Sequence, residues 1–302
     1  MDYDIGLRGI NGLFFRKLIP LTAASWANRL SMSLTTTDGQ EKIRWLSDVP
    51  AVREWSSGRK VRELTEEGFN LITKPYEATL SFHQDDLRRV RGKSPQIDAR
   101  IGDLARRVAE HWGKLITTAI ELNPTCYDGS ALFADAHSEG ASGSQDNNLG
   151  ASATTPSNPT AAEMATAIKT AIQAMAAYKD SVGEPINAEA ASWMVMVPPN
   201  MQWAALEAVN NAIVIIGGAA SQNVLASQTN VEVRVNPRLT STSVFYLFRT
   251  DSELKPFVAL DEYTETKEKD DTFDNRRMLF GVSLQRVVGV AWWQYASKVT
   301  LS

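Results

Sequence analysis

Residues 126–140 read CYDGSALFADAHSEG, which sets the chain's only cysteine, Cys126, beside one of its three histidines, His137. A thiolate and an imidazole can ligate zinc together, or act as a nucleophile with its base. Asp135-Ala-His137 offers two metal ligands and Cys126 a third. Zinc sites show tighter and more numerous Cys and His, in spacings such as C-x2-C or H-x3-H, and nothing here completes a tetrad. The stretch therefore reads as a loop whose Asp and His side chains bond to backbone. Its rival is a metal-dependent hydrolase working through Asp135 and His137.

Other groups are weaker. His83-Gln-Asp-Asp86 ends an alternating segment, and no nucleophile or oxyanion motif accompanies it. His111 lies beside an apolar helical stripe and reads as a packed or edge histidine. Gly217-Gly-Ala-Ala-Ser221 lacks the lysine of a phosphate loop and the spacing of a dinucleotide fingerprint. Arg88, Arg89, Arg91 and Lys93 form the best basic patch, fit for phosphates or for an acidic partner surface. The acidic run 261–275 supplies such a surface on another subunit. No catalytic residue, cofactor or metal site is expected.

The elements that must carry these residues belong to a soluble globular protein, since 43% of the 302 residues are hydrophobic and 22% charged. A net charge of −4 makes the protein no polycation, so nucleic-acid contact is local or non-specific. One cysteine rules out an internal disulfide framework and suits a reducing cytoplasm. No apolar run approaches the ~20 residues of a membrane span, and no membrane partner is expected. Arg16-Lys17 before Leu18–Ala24 only faintly resembles a leader, because Asp2 and Asp4 precede it and Pro20 breaks it; it reads as a short amphipathic arm.

Residues 1–58 lack a clean period, carry Gly6, Gly9, Gly12, Pro20, Gly39 and Pro50, and scatter aromatics, as an extended arm would. Residues 59–82 read as a long hairpin turning near Glu66-Glu67-Gly68, with Tyr76, Ala78, Leu80 and Phe82 alternating against polar positions. Such a hairpin needs a partner surface. Ser94-Pro95 starts a helix that carries Ile97, Ile101, Leu104, Val108, Trp112, Leu115, Ala119 and Leu122 in steps of three and four, until Asn123-Pro124 ends it. It is a spine about 40 Å long. Residues 138–160 form a polar loop, 161–179 a second helix, 193–197 a buried strand, 200–209 a short helix and 213–228 a flexible tip. Strands follow at 231–235, 243–248, 257–260, 278–282 and 286–293. The class is α+β.

The order of motifs resembles the Mu-like prophage major head subunit, the gpT family. Trp45-Leu-Ser-Asp-Val-Pro-Ala-Val-Arg-Glu-Trp55 with Arg59 is similar to its WLGxxPxxREWxGxR signature, with Ser47 and Ser57 in glycine places. Lys74-Pro-Tyr-Glu-Ala-Thr79 resembles the strand leading to the spine, and CYDGSALFADAHSEG resembles its cYDGxxFFxxxH segment. Gly183-Glu-Pro, Met196-Val-Pro-Pro199 and Gly281–Ala296 follow in the family's order.

The resemblance implies a Hong Kong 97-like phage capsid fold: N-terminal arm 1–58, E-loop hairpin 59–84, peripheral domain 85–155 with spine helix 95–122, axial domain 156–249, and return strands 250–302. It implies a major capsid protein that self-assembles into hexamers and pentamers of an icosahedral head enclosing double-stranded DNA, held non-specifically. Scaffold, portal and decoration proteins are implied partners, assembly in the host cytoplasm the implied route, and the virion the implied location. Arg59, Lys60, Lys74, Tyr76, Leu80 and Phe82 are the expected inter-subunit contacts. An encapsulin-like cargo shell is the alternative within the fold.

Overall fold

The computed structural model describes residues 2–45, 67–83, 95–211, 213–216, 219–223, 225, 230–271 and 276–302. The first segment is helix α1 (Asp2–Ala23), followed by α2 (Ala27–Leu30), where the sequence suggested an arm without a period. Three glycines and Pro20 hide this helix from propensity, yet Ile10, Phe14 and Leu18 recur every four residues and are 5%, 0% and 8% exposed. Burial of that stripe outweighs the poor helix formers.

The spine, α3 (Pro95–Leu122), runs as its period requires. Its buried stripe is Ile97, Ile101, Leu104, Val108, Trp112, Ile116 and Ala119, while Leu122, expected on it, is 73% exposed. The helix stops at Asn123, whose φ of 47° is the left-handed conformation that ends helices, one residue before Pro124. Ser94, the expected N-cap, lies outside the described residues.

Two compact units result. The first comprises Met1–Glu41, Asn70–Ile116 and Ala259–Gly289. Its sheet has the order β1 (Ser31–Thr35), β11 (Phe257–Asp271), β12 (Arg277–Val290), β4 (Lys74–His83). β4 and β12 are antiparallel, with Leu80 opposite Phe280 and Tyr76 opposite Leu284. One face of this sheet presents Phe82, Phe280, Val282 and Leu284 to the stripes of α1 and α3, closing a core in which the Phe14 and Phe280 rings meet edge-on at 5.8 Å. Gly113 of α3 admits the Trp26 indole so closely that a Cβ there would collide with it. The acidic run continues β11 as far as Asp271, and the two expected strands 278–282 and 286–293 fall on the single strand β12.

The hairpin is also displaced. β2 (Gln40–Trp45) pairs with β3 (Glu67–Ile72) in a two-stranded ribbon, so Glu67 and Gly68 are strand rather than turn. Buried Thr73 separates this ribbon from β4: its N–H and its hydroxyl each donate to Gly39 O at 2.9 Å, and the hydroxyl also meets Glu262 at 2.8 Å. Pro75, which has no N–H to give, sits in β4 at the sheet edge.

The second unit comprises Lys42–Phe69, Thr117–Val258 and Val290–Ser302. Its sheet order is β5 (Asn148–Ala151), β13 (Ala296–Leu301), β10 (Val244–Arg249), β6 (Ser192–Val197), β9 (Asn230–Val235). β10 is antiparallel to both neighbours, whereas β5 runs parallel to β13 and β9 parallel to β6. Trp193 to Val197 and Val244 to Phe248 are buried throughout, as strands covered on both faces must be. Helix α4 (Ala161–Ala176) begins in a capping box in which Thr160 and Glu163 satisfy each other's backbone N–H groups. Backbone N–H groups of Thr154 and Thr160 hold the Glu163 carboxyl down at about 2. A 3-10 turn (Pro199–Met201) leads into α5 (Gln202–Asn210), and a small pair, β7 (Ile213–Ile216) with β8 (Ala219–Gln222), occupies the expected tip. Among the described residues no helix is long and apolar enough to cross a membrane.

Candidate functional site

The stretch from Cys126 to Gly140 follows α3 in the second unit and is ordered by turns. Asn123 pins its start, accepting from Phe133 N–H at 2.8 Å and donating to Phe133 O at 3.0 Å. Cys126 N–H donates to Ser130 O, and Ser130 N–H to the Asp128 carboxylate, which together make a tight turn around Gly129. His137 and Gln145 exchange both backbone hydrogen bonds, at 2.7 and 2.8 Å. Gly140, at φ 53°, lies against the Ser181 carbonyl with no room for a Cβ.

His137 is fully buried. Its Nδ1 lies 2.5 Å from Asp128 Oδ2, its Nε2 3.1 Å from Asn147 Oδ1, and its ring stacks on Trp293 at 4.0 Å and 9°. Asn147 is the hub. Its Oδ1 also accepts from Ala134 N–H at 2.9 Å, and its Nδ2 donates to Leu132 O at 2.7 Å and Ala296 O at 3.1 Å. That donor set fixes which end of the amide is oxygen, so the Nε2 of His137 faces an acceptor and carries the proton. With Asp128 at its other nitrogen, the ring turns no lone pair outward to a metal.

The ligand set that the rival reading needs is not assembled. Asp135 turns away to accept from Asn148 Nδ2 at 2.8 Å, and burial, with Asp128 nearby, pushes the Cys126 thiol far above its ordinary range. A thiol held in that form is a poor nucleophile and a poor ligand. Among the described residues no three His, Cys, Asp or Glu side chains converge as a metal site. The cluster instead fastens the loop to the chain's last strand. Asn147 O accepts from Lys298 N–H at 2.8 Å, and Tyr178 Oη joins Asp146 O to Ser297 Oγ at 2.9 Å each. Sequence reasoning named His137 and missed Asp128, Asn147 and Trp293 as its partners. They stand nine and ten residues away and at the far end of the chain, so no local spacing signals them.

The residues expected at subunit contacts separate into groups. Tyr76 and Leu80 pack partly buried on the core of their own unit, and Phe82, 6% exposed, belongs to it. Within the chain, the alternating face of β4 meets the stripe of α3. Lys74 is exposed at the start of β4. Arg59 and Lys60 lie outside the described residues, as do the basic patch 88–93, Asp85 and Asp86, and Gly217 and Gly218. His83 is exposed at the end of β4, and His111 is half-buried on α3 with its ring 4.4 Å from that of Tyr76.

No curated protein sequence matches the chain. Solved structures do. The procapsid of bacteriophage JBD30 is 15% identical over 97% of this chain and 74% of its own, with a TM-score of 0.53. The mature capsid of bacteriophage PhiM1 is 14% identical over 92% and 87%, with a TM-score of 0.57. A virus-like particle from Pyrococcus furiosus is 9% identical over 94% and 96%, with a TM-score of 0.54. At these identities the likeness is one of fold, the Hong Kong 97-like capsid fold that the motif order implied. The profile of the Mu-like prophage major head subunit gpT matches residues 9–162, just over half of the chain and the part that holds most of α1, the ribbon, the spine and the His137 loop. The chain belongs to the Mu-like prophage major head subunit gpT family.

Proposed function

We propose that this protein is the building subunit of a phage head, arranged as hexamers and pentamers of an icosahedral shell around double-stranded DNA. The family match over residues 9–162 carries the reading. The β2–β3 ribbon supports it: a two-stranded element of six residues a side is marginal alone and gains stability from a partner surface. The E-loop role is proposed for residues 59–84, which include Arg59 and Lys60 and of which β3 of this ribbon and β4 are described. Arg59, Lys60 and Lys74 are the proposed contacts with a neighbouring subunit. Residues 85–155 and 250–302 are assigned to the peripheral domain and its return strands, and 156–249 to the axial domain. The net charge of −4 suits a lining that lets DNA slide, because a strongly basic wall would bind it tightly. Scaffold and portal are proposed partners, assembly takes place in the host cytoplasm, and the role is structural rather than enzymatic.

Electron microscopy and sedimentation of the purified chain, alone and with its scaffold, test this. Shells, tubes or capsomer rings are expected, and a compact monomer under all concentrations and salt conditions would overturn it. The likeness to the Pyrococcus particle supports a second reading, a cargo shell. Particles from infected or induced cells that hold protein and no DNA would favour it.

A further inference from the structure

In the first unit one cation is buried between helix and sheet. Arg286 of β12 is 2% exposed. Its guanidinium lies over the Trp112 ring at 4.4 Å, donates to Thr264 Oγ1 of β11 at 2.9 Å and reaches the Val108 carbonyl of α3 at 3.4 Å. Its Nε faces Asp261 of β11 at 3.5 Å without completing a hydrogen bond. Beside Trp112 on α3 stands His111, whose Nδ1 is buried with no hydrogen-bond partner and whose ring abuts Tyr76 of β4 edge-on. The charges that act on this ring are Arg286 from β12 and Lys114 from the next turn of α3, both positive. Tyr76 meets the imidazole through its ring, and Asp261 faces Arg286.

We propose that His111 is an acid-sensitive release for the seat of α3 on the sheet: uptake of a proton puts a second cation beside buried Arg286 and loosens the helix from β4 and β12. The device is built from residues of one chain and does not rest on the assembly reading. Burial, then Arg286 and Lys114, lower the His111 pKa from 6.5 to about 4. The unfolded chain therefore takes up this proton before the folded one does. Stability contributed here is complete above about pH 6.5 and declines as the pH falls toward about 4. Asp261 works with the opposite sign, because burial raises its carboxyl pKa against the pull of Arg286, so acid favours the folded state at that position.

Two measurements test the release. Exchange of the imidazole C2 hydrogen, read by mass spectrometry on the whole chain, separates His83, His111 and His137 and gives the His111 pKa directly. A value below about 5 is expected, and titration at or above 6.5 would overturn the proposal. Urea unfolding from pH 7 to pH 4 then compares wild type with His111→Gln, with Asp261→Asn as the background that removes the opposing group. The wild-type unfolding constant should rise on the order of tenfold or more over that range, discounted for the half-exposed ring. His111→Gln should remove that rise while shifting the neutral-pH midpoint little. A variant with the wild-type pH slope, offset equally at every pH, would reduce His111 to packing and sink the idea. Should the variant fail to fold, the exchange measurement decides alone.

Discussion

Replacing Asn147 by alanine should be among the most damaging single changes in the second unit. The amide is fully buried and engages Ala134 N–H, His137 Nε2, Leu132 O and Ala296 O. Its removal strands two buried donors, each costing about 1–3 kcal/mol, while the carbonyls keep a second lone pair for other partners. The expected loss is therefore about 4 kcal/mol, and at a urea dependence of about 3 kcal/mol per molar the midpoint falls by about 1.3 M. Asn147→Asp separates hydrogen bonding from cavity formation, because it keeps the shape. It turns an oxygen toward Leu132 O and Ala296 O and buries a charge near Asp128, so it should be at least as harmful. The assay is equilibrium urea unfolding of unassembled chain, with hydrogen exchange of the peptide 131–147 followed in parallel. A midpoint shift below about 0.3 M, worth about 1 kcal/mol, with exchange unchanged would refute the idea that this amide holds the loop.

Gly140→Ala should cost about 2 kcal/mol or more, because it adds left-handed strain and a collision with the Ser181 carbonyl. Gly129→Ala, at φ 80° with open space around it, should cost only about 1 kcal/mol; thermal unfolding of both variants checks the ordering. Glu163 holds its proton only below about pH 2, against 4.5 unperturbed, so its cap of α4 is intact above pH 4.5 and lost as the pH falls toward 2; Glu163→Gln should flatten acid unfolding in that window. Charge reversal of Arg59 and Lys60 should weaken shell formation more at low salt than at high, because exposed charges are screened within about 8–10 Å at physiological ionic strength; light scattering at several salt concentrations reads this.

Elements defined by one run of residues were legible in the sequence. The spine carried its own stripe, its Pro95 and its Asn123-Pro124 stop, and β6 and β10 announced themselves as continuous apolar runs. What depends on a distant partner was not legible. The alternation of residues 76–82 marks a strand correctly, but nothing local says that its face meets α3 rather than a neighbouring subunit. Gln40–Trp45 mixes charge with apolar residues and becomes a strand only against Glu67–Ile72. In α1 the glycines spoke against a helix, and the cavity filled by Ile10, Phe14 and Leu18 decided for one. The candidate site followed the same division: His137 stood out, while the amide and indole that silence its chemistry came from positions with no shared spacing.

The place of β13 bears on how such a chain is made. Residues 296–301 are not at the rim of their sheet but between β5 and β10, so the strands built from residues 148–151 and 244–249 have no bond to share until that segment arrives. The sheet of the first unit waits in the same way, since β1, completed by residue 35, pairs only with β11, which begins at residue 257. Both sheets thus depend on contacts between residues far apart in the chain, a topology that folds slowly. A ribosome that has delivered the first 250 residues holds two unfinished sheets. The finished sheets, and the surfaces built on them, therefore come into being only after the strands of residues 257–301 have emerged.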